Sequence, residues 1–109
     1  MEEESKEIDI ARIESCDIGF DDHGLFLMFT RFVYVKKGHN TGSQGIGYVI
    51  DDEFIKRFIR ACGAVMLSQC NGTMVRVEHT QERINKIIPL LKGEDKYIFD
   101  IDKWRNRRF

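Results

Sequence analysis

Hydrophobic and polar residues alternate through much of the first part of the chain, a pattern that predicts β-strands. Apolar side chains recur over residues 8–20, and the alternation slips between Ile10 and Ile13, which is typical of a β-bulge. Residues 21–24 combine short polar side chains with a glycine and therefore predict a turn. We expect this turn to close a hairpin between the first strand and the strand that follows it.

The following strand, residues 25–35, has the strongest strand pattern in the sequence, and both of its faces are largely apolar. One face carries Leu25, Leu27, Phe29, Val33 and Val35, and the other carries Phe26, Met28, Phe32 and Tyr34. A strand with one solvated face would alternate instead. We therefore expect cover on both sides, supplied by a second layer of the chain or by another subunit. The rich aromatic content, with eight Phe residues, adds to the case for a homo-oligomer.

One helix is predicted in the middle of the chain. A loop with four glycines over residues 38–47 and a short strand over residues 48–50 come before it. The helix begins after Asp51 or Asp52, because aspartate side chains cap helix N-termini well. An apolar stripe runs along the helix, and Gly63 ends it.

Short strands are predicted after the helix. Residues 73–79 alternate as a strand, whereas Pro89 limits residues 83–91 to an edge strand. Residues 97–99 are expected to form a last short strand. The predicted fold class is α+β, with an antiparallel sheet of four to five strands and one main helix packed on it.

The length of 109 residues indicates a single domain over residues 1–109, with flexible tails at residues 1–7 and 103–109. The three cysteines are odd in number and widely spaced, which favours a reducing compartment in which they serve as small core residues. The acidic start does not resemble a signal peptide, and no apolar run reaches transmembrane length. We therefore expect a cytoplasmic protein that does not interact with membranes.

Charge is distributed unevenly, although the net charge is only −1. Residues 1–24 hold nine acidic and two basic side chains, whereas residues 103–109 hold four basic ones. These two segments could attract each other within or between chains, or they could be two solvated termini. The tail also mixes basic and aromatic residues as single-strand binders do. The small net charge nevertheless gives no reason to expect binding to a nucleic acid polymer.

The sequence contains no recognisable catalytic or metal site, so we expect no enzyme, no cofactor and no metal. The glycine loop is neither a dinucleotide fingerprint nor a P-loop. His23, His39 and His79 are far apart, and no Cys or His pair has ligand spacing. A nucleophilic Cys62 or Cys70 would need a base and an orienting group, and no known signature surrounds either residue.

Three arginines are candidates for binding an anion. Arg57 and Arg60 lie about one turn apart on the predicted helix, opposite its apolar stripe. They could bind two phosphate groups as forks, or they could belong to a solvated helix face. Arg76 lies among apolar residues of a predicted strand, where it either reaches solvent on an open face or pairs with an acid or a ligand.

Several short motifs follow one another along residues 10–100. They are Asp22-His23-Gly24, Gly42-x-Gln44-Gly45-x-Gly47-Tyr48, Asp51 leading to Phe54-Ile55-x-Arg57, Cys62-Gly63-Ala64-Val65, Gly72-x-x-Val75-Arg76-Val77 and Ile84-x-x-Ile87. Their order resembles that of a family of short phage and prophage proteins, which is similar to the Thoeris anti-defence sponges. Those viral proteins bind cyclic nucleotide immune signals and withhold them from bacterial effectors.

The resemblance implies a non-catalytic viral anti-defence protein in the host bacterial cytoplasm. Such a protein would bind and sequester a cyclic nucleotide signal, either a cyclic ADP-ribose isomer or a cyclic dinucleotide. The positions that match the family motifs are Gln44, Arg57 and Arg76. The candidate ligand-binding residues are Arg57, Arg60 and Arg76 for phosphates, Tyr48 and Phe99 for stacking on a base, and Gln44 or Asn85 for hydrogen bonds to it. The alternative is a phage inhibitor that binds a host defence protein directly through an aromatic surface.

Overall fold

A computed structural model of the chain describes residues 6–35, 43–91 and 93–107. Its strands are β1 (Glu7–Phe20), β2 (Phe26–Tyr34), β3 (Ser43–Val49), β4 (Met74–His79), β5 (Ile84–Ile88) and β6 (Phe99–Asp100), and its helices are α1 (Asp52–Ala61) and α2 (Ile101–Arg107). The strands form one sheet in the order β3-β2-β1-β4-β5-β6, and all neighbouring pairs are antiparallel. The predicted α+β class is confirmed, with five longer strands and a sixth of only two residues.

The first two strands form the predicted hairpin. The backbone at the turn has a positive φ of 78° at Gly24, a conformation that glycine adopts without strain. Asp21 stabilises the turn, because its Oδ1 accepts hydrogen bonds from the backbone N–H groups of His23 and Leu25 at 2.8 and 2.9 Å. The register of the β1–β2 pair shifts between Ile13 and Ser15, a few residues later than the sequence pattern indicated.

Helix α1 begins and ends at the residues that its end signals predict. The Asp51 side chain accepts a hydrogen bond from the backbone N–H of Phe54 at 3.0 Å, which satisfies one of the open donors of the first turn. Gly63 follows the helix with a φ of 71°. The backbone N–H of Ala64 then reaches back to the carbonyl oxygen of Ile59 at 3.1 Å, as is typical of a glycine-ended helix.

Helix α1 covers one face of the sheet, which we term the covered face. Its side chains Phe54 and Phe58 are fully buried and belong to the same core cluster as Ile13 of β1 and Val77 of β4. The remaining core comes from alternate residues of the central strands together with Cys62, Cys70, Phe99, Ile101 and Trp104. The core therefore lies between the sheet and a single layer of helices and turns.

The opposite face, which we term the open face, has no such layer among the described residues. The large apolar side chains exposed on it are Ile8, Ile10, Phe29, Val35 and Met74. The Phe29 ring lies beside Gly47 of β3, where an added Cβ would approach the ring to 3.3 Å. Within the described ranges, therefore, one face of β2 is covered and the other carries exposed apolar side chains. Cover of the second face by another subunit stays a prediction.

Two expectations about the second half of the chain need correction. Strand β5 is followed by Pro89, as the pattern predicts, but it lies between β4 and the short β6 rather than at the sheet edge. The tail at residues 103–109 was expected to be flexible, yet residues up to Arg107 belong to α2 and the Trp104 ring is buried in the core. None of the described helices is both long and apolar enough to cross a membrane.

Candidate functional site

A cleft of about 550 Å³ opens where the end of α1 meets one end of the sheet. Four segments form its walls: the last turn of α1 with the loop after it, the start of β4, the segment after β5, and the 3₁₀ turn Asp95–Tyr97 with its preceding residue. The lining residues are Arg60, Cys62, Gly63, Ala64, Thr73, Met74, Pro89, Leu90, Leu91, Glu94 and Tyr97. The lining is thus mostly apolar with a few polar groups, as is usual for small-molecule sites.

Three side chains give the cleft its chemical character. Arg60 lies in the last turn of α1 and is exposed, so its guanidinium can reach a ligand in the cleft. Tyr97 is partly buried and offers both a ring and a hydroxyl group, while the partly buried Glu94 offers a carboxylate that accepts hydrogen bonds. A cation, a flat ring and an acceptor around one apolar space can hold a ligand that combines an anion, a planar base and hydroxyl groups.

Arg76 contributes to the cleft indirectly. Its Nη2 and Nε atoms donate hydrogen bonds to the carbonyl oxygen of Pro89 at 2.8 and 3.3 Å. Val75 and Val77 point into the core, so Arg76 lies on the open face, on the other side of the sheet from α1. The contact therefore holds the segment that begins at Pro89 and forms one wall of the cleft. The partner of the half-buried Arg76 is thus a backbone carbonyl oxygen.

Arg57 does not line the cleft, although it lies only one turn before Arg60. Its Nε atom donates to Oε1 of Glu53 at 3.1 Å, an ion pair between exposed side chains of the same helix. Its guanidinium carbon also lies 5.9 Å from the ring centroid of Trp104, within the range of a cation–π contact. Of the two helix arginines, Arg60 is therefore the one that lines the cleft.

Two candidate base contacts are buried in the chain and do not line the cleft. The Phe99 ring is only 2% exposed, and it packs edge-on against Phe54 and Trp104 with centroids 4.9 and 6.1 Å away. It therefore belongs to the core rather than to a stacking surface. Asn85 is 1% exposed, and neither its Nδ2 nor its Oδ1 atom has a hydrogen-bond partner among the described residues.

Gln44 and Tyr48 belong to β3, where their backbones pair with Phe32 and Met28 of β2. Their side chains lie outside the part of the chain that is described. Strand β3 is one edge of the sheet and is separated from β4 by β2 and β1. The seven predicted residues are therefore not gathered at one place: Arg60 lines the cleft, Arg76 supports its wall, and the other five lie elsewhere.

The cysteines are three free, buried thiols, as the sequence predicts. Cys62 lines the cleft, and Cys70 is completely buried behind it. The hydrogen bond with Cys70, and then burial, raise the pKa of the Cys62 thiol above its ordinary value of 9.0. At neutral pH Cys62 is therefore a neutral wall residue of the cleft and a poor nucleophile.

A second cluster of polar side chains lies at the other end of β4 and unites Glu7, Asp9 and His79. One ligand atom from each of these residues lies within 4.8 Å of the other two. Tyr34 stacks on the His79 ring, and burial followed by the charges of Asp9 and Glu7 raises its pKa above the ordinary value of 10.0. The spacing of these three residues along the chain does not reveal the cluster, because they come together only when β1 pairs with β4.

Comparisons of the chain with protein-family models, with curated proteins and with solved structures found no match. Two lining residues, Glu94 and Tyr97, were absent from the sequence-based candidates. The only sequence signal for them is the position of an aromatic and an acid just before the last strand, which many surface turns share.

Proposed function

We propose that this chain is a non-catalytic viral anti-defence protein that binds a small anionic nucleotide in the cleft and sequesters it. The ligand class is a cyclic nucleotide immune signal, either a cyclic ADP-ribose isomer or a cyclic dinucleotide, and the place of action is the host bacterial cytoplasm. The observation that carries the proposal is the cleft of about 550 Å³, whose lining combines Arg60 and Tyr97 with apolar side chains.

The size and chemistry of the cleft support this ligand class. Small-molecule sites usually measure about 300–1,000 Å³, so the cleft has room for a nucleotide. Arg60 offers a planar donor fork for a phosphate, and the Tyr97 ring offers a surface for a base. Glu94 can accept hydrogen bonds from ribose hydroxyl groups, while its charge disfavours a ligand that presents phosphates on that side.

The same lining favours holding a ligand over transforming it. Cys62 is the only thiol among the lining residues, and its raised pKa keeps it protonated at neutral pH. No histidine of residues 6–35, 43–91 and 93–107 lines the cleft to act as its base. A bound nucleotide would therefore meet a positioned cation and an aromatic ring but no activated nucleophile.

The first experiment tests binding and chemistry together. The protein is incubated with a cyclic ADP-ribose isomer or a cyclic dinucleotide, freed of unbound ligand, heat-denatured and assayed for what it releases. Release of intact ligand supports sequestration, and release of a product would establish an enzyme instead. A thermal-shift assay measures binding independently, because a hundredfold excess of ligand over Kd adds about 2.7 kcal/mol to the free energy of unfolding and so raises the Tm. No shift and no released nucleotide would refute the proposal.

The chain offers a matched pair of variants for locating the site. Arg60→Ala should weaken binding about ten- to a hundredfold, because a hydrogen bond to a charged group is worth about 1.5–3 kcal/mol. Arg57→Ala removes the same charge one turn away on the same helix and should change Kd little. Calorimetry measures both affinities. A loss on Arg57→Ala alone would move the site from the cleft to the surface beside Trp104.

A second candidate function is supported by a separate surface. Phe20 and Phe26 form a tilted ring pair with centroids 5.1 Å apart at the hairpin end of the sheet, and they are 73% and 40% exposed. Leu25 is exposed beside them. An exposed apolar cluster of this kind suits a protein partner, so a phage inhibitor would bind a host defence protein here. Phe20→Ala and Arg60→Ala distinguish the two functions, because each variant should impair only one of them.

A further inference from the structure

The cluster of Glu7, Asp9 and His79 combines a buried imidazole with two carboxylates. Glu7 and His79 are directly paired between β1 and β4, and Asp9 lies two residues along β1 on the same face. We propose that these three residues bind a divalent transition-metal ion such as Zn²⁺. The ligands are Nε2 of His79 and one carboxylate oxygen each from Asp9 and Glu7.

The first argument concerns the tautomer of His79. Its Nδ1 atom lies 3.1 Å from the carbonyl oxygen of Thr80, and a carbonyl oxygen can only accept a hydrogen bond. Nδ1 therefore carries a hydrogen, and Nε2 is the nitrogen that faces the carboxylates. Metal-binding histidines are commonly held in this way, with one ring nitrogen donating to a carbonyl and the other free to coordinate.

The second argument concerns the contact between Nε2 and Asp9. These two atoms come from residues 70 positions apart, and Nε2 lies 2.7 Å from Oδ2 of Asp9. The carboxylate oxygen only accepts, and Nε2 without a hydrogen also only accepts. A hydrogen bond between these two atoms therefore needs a proton shared by them, and a metal ion bound by both atoms would take the place of that proton.

A metal ion in place of the proton needs only a small movement. With Zn–N and Zn–O bonds of about 2.0–2.2 Å in tetrahedral geometry, the two ligand atoms lie roughly 3.4 Å apart. The pair would have to separate by about 0.7 Å from the observed 2.7 Å. The Asp9 side chain is 26% exposed and can rotate by that amount, whereas His79 is held by Thr80 and by Tyr34, whose ring centroid lies 4.4 Å away.

The donor set also selects the kind of ion. Two carboxylates with a neutral imidazole balance a charge of +2. An imidazole ligand favours Zn²⁺ and related transition metals, whereas Mg²⁺ and Ca²⁺ prefer oxygen ligands alone. Glu7 is exposed, so water can complete the coordination on its side. The cluster lies at the opposite end of β4 from the cleft, so the metal and nucleotide proposals can be tested separately.

The test is a titration of the full, tag-free chain with Zn²⁺ by calorimetry. We expect one ion per chain and a rise in Tm when Zn²⁺ is present. Asp9→Asn and His79→Gln should each weaken binding about tenfold or more, since even outer-shell changes at metal sites cost that much. Glu78→Gln is the matched control, because Glu78 precedes His79 on β4 but lies on the other face of the sheet. It should bind Zn²⁺ as the unmutated chain does.

The three cysteines are the main competing ligands, and Co²⁺ distinguishes them. A cobalt ion at the proposed site gives a nitrogen–oxygen spectrum, whereas thiolate ligands add an intense charge-transfer band. Such a band would overturn the assignment, as would Zn²⁺ binding that survives both Asp9→Asn and His79→Gln. No Zn²⁺ binding would mean that a proton alone occupies the contact. If His79→Gln unfolds the chain, Glu7→Gln replaces it as the test, because Glu7 is the exposed ligand. An unchanged Zn²⁺ affinity of the Glu7→Gln variant would refute the three-residue site.

Discussion

The two faces of the sheet are both rich in apolar residues, yet the described part of the chain covers only one of them. On β2, Phe32 lies on the covered face and is 0% exposed, while Phe29 on the open face is 43% exposed. The difference does not come from the composition of the strand, which is apolar on both sides. It comes from the placement of the main helix among the described residues, because α1 packs on the covered face alone. Exposed apolar side chains of the kind found on the open face often mark an interaction surface.

The largest effect should separate the two faces by stability. Phe58→Ala on the covered face is expected to lower the free energy of unfolding by about 3–5 kcal/mol, because it leaves a cavity in the core. Phe29→Ala on the open face should cost about 1 kcal/mol or less. Urea denaturation at low protein concentration measures both. Equal losses would contradict the comparison by showing that the open face is buried in solution.

Self-association is the next effect in size. We expect the chain to form a dimer or larger oligomer through the open face, and Phe29→Glu to weaken that association at least about tenfold by placing a charge in an apolar contact. Sedimentation at micromolar concentration measures the oligomer. Phe20→Glu at the hairpin end serves as the control and should leave the oligomer intact. A monomeric unmutated chain would show that the open face has another role.

A smaller effect concerns a polar group inside the covered layer. Asn85 is buried, and its amide has no hydrogen-bond partner among the described residues. Asn85→Leu should therefore raise the free energy of unfolding by about 1 kcal/mol, since an unsatisfied buried amide costs about 1–3 kcal/mol. Thermal and urea unfolding measure the change. A fall in stability would mean that the amide is satisfied by water or by a residue outside the described ranges.

The smallest effect is a pH dependence from the covered face. Burial, opposed by the hydrogen bond from Thr30, raises the pKa of the Cys16 thiol above its ordinary value of 9.0. The unfolded chain therefore releases this proton at a lower pH than the folded chain, so stability should fall as pH rises above about 9. Cys16→Ala should make that fall shallower, and Ser15→Ala should leave its slope unchanged. Denaturation series at several alkaline pH values measure the slopes.

The elements with strong local signals could be predicted from the sequence. The hairpin turn depends on Asp21 and Gly24, and the helix ends depend on Asp51 and Gly63, which act on their immediate neighbours. The tail was predicted less well, because Trp104 packs against Phe54, which lies 50 positions earlier in the sequence. A basic segment with one large ring has no local feature that distinguishes a docked helix from a solvated end.

The candidate site could be predicted only in part for a similar reason. Residue type alone is enough to name Arg60 and Arg76 as candidates. Their positions could not be predicted, because Arg60 lines the cleft whereas Arg76 donates to the Pro89 carbonyl oxygen from the open face. Phe99 has the residue type of a stacking platform, but its ring is buried under other aromatic side chains. Residue type therefore suggested the chemistry and burial decided which residues can take part.

By itself, the sequence determined where β1, β2, β4 and α1 lie, that the fold is α+β and that the cysteines belong to the core. These features follow from periodicity, capping and turn chemistry, which act over a few residues. Strand β3 begins at Ser43, inside the segment predicted as a glycine loop. Tertiary structure decided which face of the sheet is covered, which arginine reaches the cleft, and that Asp9 and His79 meet across 70 positions. Strand register and helix docking bring distant residues together, and a pattern read along one chain does not contain those distances.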